Sequence, residues 1–149
     1  MNITIKVAAI IVNDRQQKLL IKEQYIKQDG FKWNLVKGTY DNVNETLEEC
    51  VKREINEEVG LSDLGVISLK KVYYYGTSEN PKILFVFSVR KVGDQIPTTQ
   101  NNNQDENISE VKWFSEEEIS KLTKQDCMAF YVYDSIKNSL KQDVVVSRI

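Results

Sequence analysis

The chain has no histidine. That one absence removes imidazole-ligated zinc, Ser-His triads and histidine general bases, so acid–base or metal chemistry falls to carboxylates, lysine, tyrosine or cysteine. There are only two cysteines, Cys50 and Cys127, far apart and without Cys-x-x-Cys spacing. They read as small buried apolar residues in two separate helices, with no disulfide framework, and a reducing, cytoplasmic setting is the expectation. Two prolines and six glycines in 149 residues leave no linker-like stretch between domains. Long apolar runs are missing as well: Val7–Val12 is about a third of a membrane span and too short for a signal peptide. Neither sign of charge dominates. With 20 Lys and Arg against 22 Asp and Glu, the net charge of −2 gives no electrostatic case for nucleic acid or an anionic membrane as partner.

What is present reads as one globular domain over residues 1–149, with 41% hydrophobic and 28% charged residues. A chain of this size buries roughly 68–70% of its unfolded surface and needs no disulfide staple. The β-branched run 3–12 predicts a buried strand, Asn13–Gln16 a turn, and Lys18–Glu23 the returning strand. Trp33-Asn34-Leu35-Val36 is a short apolar piece ending at Gly38. Residues 46–59 predict a helix, with capping-box spacing at Thr46 and Glu49 and a stop at Gly60-Leu61. Strands are expected at Val66–Tyr75 and Ile83–Val92, turning at Gly76, Asn80 and Pro81. The polar stretch Gln95–Asn107 reads as a loop. Glu110–Phe114 alternates as a strand, Ser115 with Glu116–Glu118 starts a helix, and a last helix is expected over Gln125–Leu140. The order is that of a mixed α/β fold.

The helix 47–59 does not follow its own pattern. At about 100° per residue, Leu47, Val51, Ile55 and Val59 share one arc; Glu58 falls inside it, and Glu54 and Glu57 lie on its flank. A helix made only for packing would not aim an acid at its apolar stripe. Glu54, Glu57 and Glu58 stand at i, i+3 and i+4, so their charges repel unless something compensates them. A divalent cation does so, and hard oxygen ligands suit Mg²⁺ or Mn²⁺. Arg53 offsets part of the repulsion; a solvated acidic helix end is the plain alternative.

Arg53-Glu54-Ile55-Asn56-Glu57-Glu58-Val59-Gly60-Leu61 resembles the second half of the Nudix box, REUxEExGU with U a bulky aliphatic, at every specified position. Glu45 matches the glutamate eight before the Arg, and Gly38 matches the preceding glycine one residue further away than in the pattern. Trp33-Asn34-Leu35 looks like the family's W-x-L lead-in, and Glu110–Phe114 like the strand after its variable loop. Val36-Lys37-Gly38 stands where the family often has Pro-Gly-Gly, and Asn44 where it commonly has glycine. The resemblance to Nudix (MutT-like) hydrolases implies an α/β/α sandwich with a mixed central sheet and a loop-helix-loop box. It implies hydrolysis of a nucleoside diphosphate linked to another group, a small-molecule nucleotide partner, and Mg²⁺ or Mn²⁺ held foremost by Glu57 and Glu58, with the Gly38 carbonyl as a further ligand and Glu54 as either a further ligand or the base. Arg53 would orient the glutamates, with Glu45 as its partner. The general base is either Glu54, which is preferred, or an acid of the loop before the last strand, among Asp105, Glu106 and Glu110, with Glu106 foremost. Lys37 would add a point charge for phosphate. Trp33, Phe31, Tyr73, Tyr75 and Phe85 are candidates to stack on a base, each with core packing as the alternative. A homodimer stays open, as does a catalytically weak, nucleotide-binding sensor in place of an enzyme.

Overall fold

The structure, a computed structural model, describes residues 2–25, 30–99, 108–138 and 144–149. In chain order it contains β1 (Thr4–Val12), β2 (Lys18–Gln24), β3 (Phe31–Asn34), β4 (Val36–Thr39), α1 (Leu47–Val59), β5 (Leu64–Gly76), β6 (Pro81–Lys91), β7 (Ile108–Phe114), α2 (Glu116–Lys121), α3 (Phe130–Lys137) and β8 (Val145–Arg148). The strands make one mixed eight-stranded sheet. β1 runs parallel to β6 along its whole length, and Val7–Ile11 are all buried. The unbroken β-branched run is thus explained by a central strand covered on both faces.

β1 and β2 touch only at Val12–Lys18 and then diverge. The wedge between them is filled by one segment that changes partner. β3 pairs antiparallel with β2, the chain bends at Leu35, and β4 pairs antiparallel with β1. Asn34 secures the bend: its Oδ1 accepts from Leu35 N at 2.8 Å and from Tyr131 Oη at 3.2 Å. β7 closes on β2, while β5 pairs antiparallel with β6 and parallel with β8.

The helices divide between the two faces. Cys50, Val51, Ile55 and Val59 of α1 pack on Val7, Ala9, Ile11 and Val36. Ile119 of α2, with Tyr131, Val132 and Ile136 of α3, packs on Ala8, Ile10, Leu20 and Leu84 from the other side. Each valine, leucine or isoleucine among these, fully buried, contributes roughly 1.5–3 kcal/mol. This is the expected α/β/α sandwich. The caps of α1 are also as expected: Glu49 N donates to Thr46 Oγ1 and Thr46 N to Glu49 Oε1, both at 3.1 Å, and Gly60 ends the helix at φ 70°.

Three local expectations are corrected. The last helix does not begin at Gln125. Lys124–Asp126 is a 3₁₀ turn in which Asp126 Oδ2 accepts from Thr123 N at 2.8 Å, and the chain is then extended through Cys127. Met128 N donates to Trp33 O at 2.8 Å, so pairing with β3 overrides the helical spacing. α3 begins only at Phe130, and Cys127, though buried, is not in a helix. The apolar piece before Gly38 is two strands, and β8 was not foreseen.

Candidate active site

β4 is a sheet edge. Among the described residues it pairs with β1 alone, and α1 lies along its other side. The three acids of α1 meet that edge unequally. Glu58 is 2% exposed and its Oε2 accepts the backbone N–H of Lys37 at 3.2 Å. Glu54, 9% exposed, lays its carboxyl group against Gly38, where a side chain would collide with it. Glu57 is half exposed and rests on Arg53. Helical spacing puts the three on one surface, but the sheet edge draws in only two.

Arg53 organises the rest. Its Nη2 binds Glu45 Oε1 at 2.8 Å and its Nε reaches Glu45 Oε2 at 3.2 Å, a two-pronged contact. Nη1 reaches Glu54 Oε1 at 3.1 Å and Glu57 Oε2 at 3.3 Å. One guanidinium therefore spans three carboxylates. The Arg53 hydrogen bond holds the Glu45 carboxyl below the usual range. Burial, then the neighbouring Glu45, pushes the Cys50 thiol up to about 12, which leaves it unreactive. The loop that is one residue longer than the Nudix pattern absorbs the extra length without displacing Glu45, whose carbonyl is held by Tyr40 Oη at 2.7 Å.

The donor set fits a hard divalent cation. Two buried carboxylates flank a glycine whose missing side chain leaves its backbone approachable, and a third carboxylate waits at the rim. Among the described residues no three acids or thiols already converge as a cage, because Glu57 sits on Arg53.

The remaining sequence candidates scatter. Lys37 is half-buried on β4; its backbone belongs to the site, while its side chain lies on the sheet face away from α1, level with Ala8. Trp33 is half-buried on that same side, edge-on to Phe114 at 4.7 Å, with Lys22 Nζ 5.4 Å from its ring. Tyr73 is fully buried, its hydroxyl donating to Asp134 Oδ2 at 2.6 Å, so it packs the core beneath α3 and has no ring face for a base. Phe85 packs towards α1, Tyr75 is half-buried on the opposite face, and Phe31 is exposed. Glu110 is exposed on β7 opposite Lys22. Asp105 and Glu106 lie outside the described residues. Sequence reasoning overlooked Asn34, although a polar residue inside the apolar piece 33–36 was a signal.

The NUDIX domain family pattern matches residues 3–133. No curated protein matches the chain significantly. Among solved structures, a NUDIX hydrolase from Nitrosomonas europaea is 24% identical with a TM-score of 0.71, over 90% of this chain and 86% of that one. The NUDIX domain of Shewanella oneidensis NrtR, complexed with ADP ribose, is 19% identical with a TM-score of 0.67, over 92% and 85%. A C. elegans Ap4A hydrolase is 14% identical with a TM-score of 0.64, over 90% and 93%. At these identities the likeness is one of fold. With the family pattern running through both sheet faces and the box helix set against Gly38, the chain belongs to the NUDIX family of hydrolases.

Proposed function

We propose that the chain hydrolyses the pyrophosphate bond of a nucleoside diphosphate linked to another group: an NTP, a nucleotide sugar, ADP-ribose or a dinucleoside polyphosphate. The observation that carries this is the seating of Glu54 on Gly38 and of Glu58 on the Lys37 N–H, which fixes two buried carboxylates at one sheet edge. Glu54, Glu57, Glu58 and the Gly38 carbonyl would hold Mg²⁺ or Mn²⁺. When bound, such a cation neutralises phosphate charge and lowers the pKa of bound water. Arg53 keeps Glu54 and Glu57 apart and oriented. Glu54 takes the proton of the attacking water, and Glu106 is the second candidate for that role. Lys37 holds a phosphate oxygen and Trp33 flanks the nucleotide. The ADP ribose complex and the Ap4A hydrolase among the structural neighbours are in keeping with a pyrophosphate-linked substrate.

The competing reading, a catalytically weak sensor, rests on the longer loop before Glu45 and on Lys37 and Asn44 standing where the family has glycine; the 2.8 Å contact from Glu45 to Arg53 favours the enzyme. The chain acts as one domain, and its two buried free cysteines suit a reducing cytoplasm. Among the described residues no helix is long and apolar enough to cross a membrane. A phosphatase-coupled phosphate-release assay across the four substrate types, with Mg²⁺ or Mn²⁺, tests the proposal. Turnover that collapses in Glu57→Gln is expected; binding of nucleotide without turnover of any substrate would establish the sensor instead.

A further inference from the structure

Among the described residues the two most buried lysines are each given an acid: Lys71 pairs with Asp134 at 3.0 Å and Lys91 with Asp63 at 2.9 Å. Three half-buried lysines are treated differently. Residues opposite one another in a ladder share a face. Lys37 on β4 stands opposite Ala8, Lys6 on β1 stands opposite both Thr39 and Leu84, and Lys82 on β6 stands opposite Thr4 and Tyr75. All three side chains are therefore on the sheet face away from α1, stepping diagonally across three neighbouring strands at roughly 7–8 Å per step. Among the described residues none of them has an ion pair. Burial, then Lys37, then Lys82 holds the Lys6 ammonium below its ordinary range, in keeping with its place between the other two in the ladder. Lys82 Nζ lies 5.9 Å from the ring centre of Tyr75 at the far end.

We propose that Lys37, Lys6 and Lys82 form a cationic track for a phosphate chain, leading away from the β4 edge and selecting a substrate with three or more linked phosphates. Uncompensated ammonium groups on a half-buried surface repel one another, and only a polyanion satisfies all three together. The track starts at the residue whose backbone N–H is held by Glu58, so a chain cleaved at that edge continues over Lys6 towards Lys82. A two-phosphate link reaches Lys37 and leaves the rest of the track unused. The direction of the chain rests on the hydrolase reading; the track itself does not.

The test uses the whole chain and sodium tripolyphosphate in EDTA, with binding measured by calorimetry. Lys6→Met and Lys82→Met should each weaken binding about tenfold, Lys6→Arg should retain it, and Lys121→Met, an exposed lysine elsewhere, should leave it unchanged. Melting of Lys6→Met at or above the wild-type temperature, from relieved repulsion, shows that the fold is kept. Wild-type affinity in both methionine variants, no binding by the wild-type chain, or equal weakening by Lys121→Met would overturn the track. With Mg²⁺ and a nucleoside triphosphate, the methionine variants should raise KM more than they lower kcat. Lysine-dependent binding without turnover of any substrate would remove the hydrolase reading and leave the track. Turnover with unchanged KM in both variants would remove the track and leave the hydrolase.

Discussion

The carboxyl carbon of Glu54 occupies the place of the side chain that residue 38 lacks: a methyl group at Gly38 would collide with Glu54 Cδ, Oε1 and Cγ. Gly38→Ala therefore cannot leave Glu54 where it is. The glutamate has rotamers to move into, so the fold should survive with a loss of about 1–3 kcal/mol, at the scale of other overpacking substitutions. Activity should suffer more, by about 10²-fold in kcat/KM, because a catalytic carboxylate displaced by an ångström loses its alignment. Calorimetric melting alongside steady-state kinetics checks both halves; unchanged kinetics would show that Glu54 does not act from this position.

Arg53 reaches three acids through a planar fork, which lysine cannot reproduce. Arg53→Lys should lower kcat by about 10–100-fold, on the scale of losses from disturbing groups that orient metal ligands. The pair also sets a pH dependence. The Arg53 hydrogen bond depresses the folded-state pKa of Glu45, so its stabilising contribution is present above the unfolded value, about 4.3, and fades as pH falls through the lower folded value. Glu45→Gln should accordingly flatten part of the decline in melting temperature below about pH 4. An acid limb identical to wild type would mean that the contact does not persist in solution.

Glu58 holds a nearly buried carboxylate on one helix with Glu54 and Glu57, while the Arg53 contacts go to Glu45, Glu54 and Glu57. Glu58→Gln keeps an oxygen for the Lys37 N–H and removes the charge. Melting temperature without added metal should rise by about 2–4 °C, equivalent to roughly 1 kcal/mol in a domain of this size, while most activity is lost. A clear fall in that temperature would show that the buried charge is structurally satisfied.

Glu54 and Glu106 make opposite demands on the choice of base. Loss of a general base costs about 10²–10⁴-fold in kcat. Glu54→Gln should show that loss, and Glu106→Gln only a few-fold change; the reverse pattern would move proton abstraction to Glu106.

Much of the site was legible because α1 is governed by local rules. Thr46, Glu49 and Gly60 set its ends, and angular spacing alone put Glu58 into the core and Glu57 outside it. Spacing did not show that Glu54 and Glu58 land on different residues of one strand edge, because the bend at Leu35 is secured by Asn34 from Tyr131, 97 residues away. The end of the chain was misread for a similar reason. Tyr131, Val132, Ser135 and Ile136 do form a buried helical face, but the helical pattern was extended back through Gln125, where Asp126 folds onto Thr123 and Met128 bonds to Trp33. The lysine track was invisible in the sequence, since Lys6 and Lys82 meet only through the parallel register of β1 and β6.

The hydrogen bond from Lys37 N to Glu58 also bears on solubility. β4 offers a row of backbone groups on the side away from β1, and such an edge invites a strand from another molecule. A backbone partner would both accept and donate, and so extend the ladder. A carboxylate can only accept, so pairing stops with it. The acid proposed here as a cation ligand thus also acts as a terminator of the sheet, and replacing Glu58 by a side chain too short to reach Lys37 would open that edge to self-association.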